Sequence, residues 1–190
     1  MNAPRINDEK TAAIASLRDF LRISEARGEV QVVSGADPDR EMGALYELSL
    51  EHLYPPVLVF EDMKGCKADC RIIMNVRTSR LMVGDLNLDA VRAYRAGKER
   101  RKVEPIPPRV VASGPVMENV LTGDAVDLNR FPLPVWHGED GGAYLGTECV
   151  VIMKDPDSDW INVGTYRTQV HDVRTVTVFT EPGKHGDVIR

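Results

Sequence analysis

A change of character at residue 104 constrains this chain more than any other feature. From Glu104 to Gly142 it reads "EPIPPRVVASGPVMENVLTGDAVDLNRFPLPVWHGEDGG", with six prolines. Each proline fixes φ and removes a backbone donor, so no long helix or central strand can run through the stretch. Yet Val, Leu, Phe and Trp recur along it, which a flexible polar linker would not carry. The stretch predicts an ordered, extended crossing between two differently built parts, residues 1–113 and 114–190.

Before the crossing, helices and strands alternate. The first fifteen residues show no period and read as a loose arm. Ser16 is placed to cap a helix, with Asp19 at its third position and Leu17, Phe20 and Leu21 as the apolar stripe. Gly28 should end that helix. "EVQVVS" reads as a strand, and Asp39 to His52 as a helix with Met42, Leu45 and Leu48 on one side. Pro55 and Pro56 break it, and the apolar run to Phe60 suits a buried strand. "RIIMNV" is another strand, "TSRLMVGD" a short helical piece, and Leu88 to Arg101 a further helix. Alternation of this kind describes an α/β module.

After the crossing the pattern becomes three strands, Thr147 to Lys154, Trp160 to Val170 and Thr175 to Thr180, joined by "DPDSD" and "HDVR". That is an antiparallel meander. Three strands are too few to close a barrel or cover both faces of a sheet. The fold class expected is α+β.

Composition excludes several function classes. The chain has 190 residues, 43% hydrophobic and 28% charged, in the range of a globular protein. No apolar run approaches the roughly 20 residues that span a bilayer, and the N-terminus has no apolar core of signal-peptide type. The expectation is therefore a cytoplasmic protein without a membrane span. A net charge of −5 leaves no basic footprint for nucleic acid. The basic run Arg92 to Lys102 reads as a solvated helix face. Three cysteines, an odd count, argue against a disulfide framework. Cys66 and Cys70, without a second pair, support a zinc site only weakly.

The chemistry concentrates near the end, in "WINVGTYRTQVHD". Side chains alternate along a strand, so Asn162, Gly164 and Tyr166 share one face and Val163, Thr165, Arg167 and Gln169 the other. Asn162 and Arg167 can meet in one pocket only if the strand bulges, and Gly164 is the natural place. An Asn carbonyl with the imidazole of His185, in "EPGKHGDVIR", suits Mn²⁺ or Mg²⁺ more than zinc. The glycines of "WHGEDGGAYLGT" permit close approach to Thr147, but the P-loop ending is missing. His137 and His171 have no partner at a telling spacing and read as structural.

In this order the segments "LRDFLRISEARGEV", "YPPVLVFEDMKG", "EPIPPRVV", "GPVMENVLTGDAVDLNRFPLPVWH", "DGGAYLGTECVV", "WINVGTYRTQVHD" and "PGKHGDVIR" resemble the N-terminal part of the UbiD-type (de)carboxylases. The resemblance runs through most of the chain. It implies an N-terminal α/β module over residues 1–113. The first strands of a flavin-reductase-like split β-barrel would then bind the cofactor over residues 114–190, without the barrel's C-terminal part. The cofactor implied is prenylated FMN, its phosphate gripped by Mn²⁺ (or Mg²⁺) on Asn162 and His185. Thr147, Val163, Gly164, Thr165, Tyr166 and Lys184 match cofactor-lining positions, and the carbonyl of Val163 stands where the family also binds K⁺. Arg167 matches the catalytic arginine, which orients the substrate carboxylate beside two glutamates.

The reaction implied is reversible decarboxylation of an aromatic or α,β-unsaturated acid, with the flavin as electron sink and a flavin prenyltransferase as its supplier. The family's third metal-ligand glutamate and its catalytic glutamates find no match in these 190 residues, and Glu181 is a poor substitute. The expectation is an N-terminal portion, inactive alone, that needs a C-terminal region or a second subunit and forms a homo-oligomer when complete. Two rival readings remain: a non-catalytic scaffold subunit of a UbiD-like complex, and an ordinary FMN-binding split-barrel reductase. The joint presence of Asn162, Arg167 and His185 counts against the latter.

Overall fold

The computed structural model describes residues 14–66, 70–84 and 109–189. The expected helix Leu88 to Arg101, the basic run and most of the N-terminal arm lie outside the described residues.

Helix α1 (Leu17–Ala26) begins where its cap predicts. The Ser16 hydroxyl accepts the Asp19 backbone N–H, satisfying one of the free donors of the first turn. At the other end the Gly28 N–H reaches the Glu25 carbonyl and the Glu29 N–H the Ser24 carbonyl. This paired closure needs a left-handed residue, which Gly28 supplies at φ +68°. The chain then enters β1 (Val30–Ser34), helix α2 (Glu41–Ser49) and β2 (Val57–Glu61), with β1 and β2 paired in parallel. β3 (Ile72–Met74) adds antiparallel to β2, and the short helix α3 (Arg80–Val83) follows.

Strand β2 organises the core. Val57, Leu58, Val59 and Phe60 are all buried, because both faces of the sheet are covered. Val57 and Val59 pack with Phe20 and Leu21 of α1. Leu58 and Phe60 pack on the opposite face with Ala36, Met42, Met63 and Trp136. Burying one such side chain is worth roughly 1.5–3 kcal/mol, so β2 anchors the module from both sides.

Helix α2 is shorter than the expected Asp39 to His52. Arg40 takes a left-handed conformation, φ 69°, and Asp39 forms a parallel bridge to Val135. The Arg40 N–H donates to the Val135 carbonyl at 2.8 Å, and the Val135 N–H to the Pro38 carbonyl at 3.0 Å. The backbone before α2 is thus spent on the crossing segment. Met42 is buried as expected, but Leu48 is exposed.

The crossing segment is ordered where it is described. It carries three short 3₁₀ turns, Pro115–Met117, Gly123–Ala125 and Leu128–Arg130. It then docks Trp136 into the core of the first module. Gly43 makes the docking possible, since a Cβ there would overlap the Trp136 backbone carbonyl.

Beyond it lie β4 (Tyr144–Gly146), β5 (Val150–Lys154), β6 (Ile161–Thr165), β7 (Thr168–Val170), β8 (Val176–Val178) and helix α4 (His185–Ile189). The single meander expected here is corrected. β5 and β6 form a two-stranded antiparallel ribbon, whereas β7 pairs with β4 and β8 in a separate three-stranded sheet. The expected strand Trp160 to Val170 breaks at Tyr166–Arg167 and changes partners. β4 was not foreseen as a strand, because its glycine-rich approach reads as loop. Among the described residues no helix is long and apolar enough to cross a membrane.

Candidate functional site

The bulge expected at Gly164 is absent. β5 and β6 pair in unbroken register from Lys154↔Ile161 through Val151↔Gly164 to Val150↔Thr165. One more bond, from the Tyr166 N–H to the Cys149 carbonyl at 3.1 Å, closes the ribbon. The end of the strand, not a bulge within it, frees Tyr166 and Arg167 from strict alternation.

Arg167 therefore turns into an open cleft of about 1340 Å³ between the two parts of the chain. One wall comes from β3 and the residues after it, including Asn75 and Arg77, and from Tyr46 of α2. The other comes from Trp136 and His137, from β4 with Thr147, and from the Gly164–Arg167 segment with Phe179, Glu181 and Lys184. Arg167 lies over the Phe179 ring, its guanidinium carbon 4.6 Å from the ring centroid. The Phe179 N–H also donates to the Arg167 carbonyl at 3.1 Å. Ring and backbone together fix a planar cation whose fork of donors matches a carboxylate.

Six of the nine residues singled out from the sequence line this cleft: Thr147, Gly164, Thr165, Tyr166, Arg167 and Lys184. Asn162, Val163 and His185 do not. Val163 is turned outward and 62% exposed. Asn162 is only 8% exposed, and its side-chain nitrogen donates to the Tyr166 hydroxyl at 2.9 Å. His185 opens α4, where the Trp160 ring meets it edge-on at 4.9 Å between centroids. Its neighbour Gly186 is buried, and a Cβ there would run into the Tyr166 ring and hydroxyl. Both metal-ligand candidates thus border Tyr166, one through a hydrogen bond and one through its neighbour Gly186.

A carbonyl oxygen and an imidazole nitrogen suit Mn²⁺ or Mg²⁺, so the donor set fits the ion that the resemblance implies. Among the described residues no group of three or more His, Cys, Asp or Glu could hold a metal. Further ligands would have to come from a phosphate or from residues outside those described. Cys66 and Cys70 are free thiols. Burial, and then the neighbouring Cys70, push the Cys66 thiol up, opposite to what a zinc thiolate requires.

Sequence reasoning passed over His137. Its Nε2 lies 3.0 Å from a carboxylate oxygen of Glu47, and Asp140 accepts the Trp136 and His137 backbone N–H groups at 3.0 and 2.9 Å. The signal was hidden because the partner stands 90 positions away. Across the cleft mouth, Arg77 and Glu148 form an exposed ion pair at 2.8 Å, which tethers the first module to the β4–β5 connection.

Comparison with known proteins bears on this arrangement. Residues 109–190 match the family model of the UbiD 3-octaprenyl-4-hydroxybenzoate carboxy-lyase Rift-related domain. That match spans the crossing segment from residue 109 onward, both β-sheets of the second part and α4. The phenolic acid decarboxylase of Sedimentibacter hydroxybenzoicus is 31% identical over 169 residues, which cover 82% of this chain and 35% of that protein. The chain belongs to the UbiD family.

Solved UbiD-class structures agree in fold. The vanillic acid decarboxylase of Sedimentibacter hydroxybenzoicus (ShVdcCD), in closed form, superposes with a TM-score of 0.73 and 27% identity, covering 90% of this chain and 38% of that one. An evolved dimeric form of HmfF from Pelotomaculum thermopropionicum, in complex with prenylated FMN (prFMN), superposes at 0.67 and 28% identity, covering 88% and 38%. The chain thus spans little more than a third of the length of these UbiD proteins.

Proposed function

We propose that this chain is the cofactor-binding portion of a non-oxidative decarboxylase that uses prenylated FMN on an aromatic or α,β-unsaturated acid. The observation that carries the reading is the convergence on one cleft of Arg167, Thr147, Tyr166 and Lys184, with Asn162 and His185 behind Tyr166. Arg167 would take the substrate carboxylate as a bidentate partner, its plane held by Phe179. Thr147 and the Gly164–Thr165 backbone would lie along the flavin, and Lys184 near its phosphate. Asn162 and His185 would ligate Mn²⁺ (or Mg²⁺) on that phosphate, with K⁺ on the Val163 carbonyl. Prenylated flavin, when bound, supplies the electron sink for loss of CO₂. The protein's share is orientation and charge placement. Proton return needs a carboxylic acid near Arg167. Among the described residues Glu148 and Glu181 reach this cleft; Glu148 is paired with Arg77, Glu181 is a poor match, and we assign the proton donor to a carboxylic acid that these 190 residues do not supply.

The full reading frame, expressed with a flavin prenyltransferase, tests the assignment through Arg167→Ala. Decarboxylation should fall at least about 100-fold, a loss of ~2.7 kcal/mol in transition-state binding, with flavin absorbance kept. Arg167→Lys should restore little, since an ammonium cannot make the paired bonds. Undiminished turnover in Arg167→Ala removes it from the mechanism.

A second reading, a scaffold subunit completed by another polypeptide, is favoured by the outer face of the β5–β6 ribbon. Val150, Ile152 and Val163 are 63%, 70% and 62% exposed there. Activity recovered only on mixing with a second gene product would establish it. Either reading fits a homo-oligomer.

A further inference from the structure

Tyr166 is packed in a way that its position on the cleft wall does not require. A Cβ on Gly164 would come within 2.6 Å of its ring, and one on Gly186 within 2.5 Å of its hydroxyl oxygen. Neither glycine has a left-handed φ, so neither is required by the shape of its backbone. Their lack of a side chain is explained instead by the ring seated between them. The seat joins β6 to the start of α4, the two elements that bear Asn162 and His185.

Within that seat the hydroxyl oxygen accepts the Asn162 side-chain N–H at 2.9 Å, at a residue 8% exposed. An amide has one acceptor oxygen and one donor nitrogen. With its nitrogen committed to Tyr166, Asn162 is left with its carbonyl oxygen to offer another partner. Only that oxygen can ligate a hard cation.

We infer that Tyr166 is a positioning residue: seated between Gly164 and Gly186, it fixes the Asn162 amide so that its carbonyl oxygen is the end offered to a divalent cation, and holds α4 at the distance that brings His185 to the same ion. This rests on the metal role proposed above for Asn162 and His185. Tyr166 itself is not a ligand in this account. It plays the part that hydrogen-bond partners of metal ligands play generally, where their removal costs about 10–100-fold in affinity.

The test uses the full reading frame with FMN and Mn²⁺ as the actual probes. Mn²⁺ affinity is read by electron paramagnetic resonance, and the Asn162 side-chain amide by ¹⁵N NMR. Tyr166→Phe keeps the ring in its seat and removes the hydroxyl. It should weaken Mn²⁺ by about 10-fold and shift the Asn162 side-chain resonances, with the backbone spectrum otherwise retained. Gly186→Ala, which displaces the ring, should give the same amide shift. Asn162→Ala should abolish Mn²⁺ binding. If Asn162→Ala loses Mn²⁺ while Tyr166→Phe binds it as wild type does, the positioning role is overturned and the metal reading stands. If Asn162→Ala binds Mn²⁺ unchanged, the metal reading itself falls. An Asn162 amide resonance identical in wild type and Tyr166→Phe also overturns the inference, since no hydrogen bond was lost.

Discussion

Gly43 shows how one missing side chain can set the relation between two parts of a chain. In an isolated helix Gly→Ala gains about 1 kcal/mol. Here the new Cβ would overlap the Trp136 carbonyl, a backbone atom held by the Asp39–Val135 bridge that cannot swing aside. Overpacking typically costs 1–3 kcal/mol, and a backbone clash belongs at the upper end. Gly43→Ala should therefore destabilise by about 2 kcal/mol, read from the denaturant midpoint. A gain in stability would mean that Trp136 is not docked on α2. At this scale the sequence was legible wherever a residue acts locally: Ser16, Asp19 and Gly28 announced both ends of α1. It was silent on Gly43 and on His137 with Glu47, because the atoms that give them meaning lie some ninety residues away along the chain.

Among the elements, the break at Tyr166–Arg167 decides most. No proline or turn pair interrupts "TYRTQV", so the sequence carries no mark for a change of sheet there. Only the partners distinguish the two segments, β5 for one and β4 with β8 for the other. Six of the nine residues singled out from the sequence line the cleft, while the way Arg167 reaches it was not readable.

The turn from β7 to β8 offers a separate check. The Asp172 carboxyl is held below its ordinary range first by the Arg174 backbone N–H, with further help from Thr175 and nearby His171. A carboxylate with a depressed folded pKa contributes stability above its unfolded value and loses it as pH falls through the folded one. The melting temperature of Asp172→Asn should lie below that of wild type at neutral pH. The gap should narrow as pH drops below about 4. A gap independent of pH would show that the charge does not hold the turn.

Over the whole molecule, apolar burial is uneven. Among the described residues, the buried hydrophobic ones come from the first module, apart from Trp136 and Ile189. The second part leaves Val150, Ile152, Ile161 and Val163 exposed on one face of a two-stranded ribbon, and such a ribbon is marginal without a covering layer. Apolar patches of this kind seek a partner. The 190-residue chain, prepared alone, should self-associate or bind a hydrophobic dye, as judged by light scattering and dye fluorescence. A monodisperse, dye-silent monomer would contradict that.

The central claim is that Asn162 and His185 hold the metal end of a prenylated flavin whose reactive end faces Arg167. It is tested most directly by purifying the full reading frame after co-expression with a flavin prenyltransferase, then measuring flavin absorbance and bound Mn²⁺ on the same sample. The account predicts that both are present and that both are lost in His185→Ala, with the fold retained. A folded wild-type protein carrying neither, or a His185→Ala protein carrying both, would contradict it.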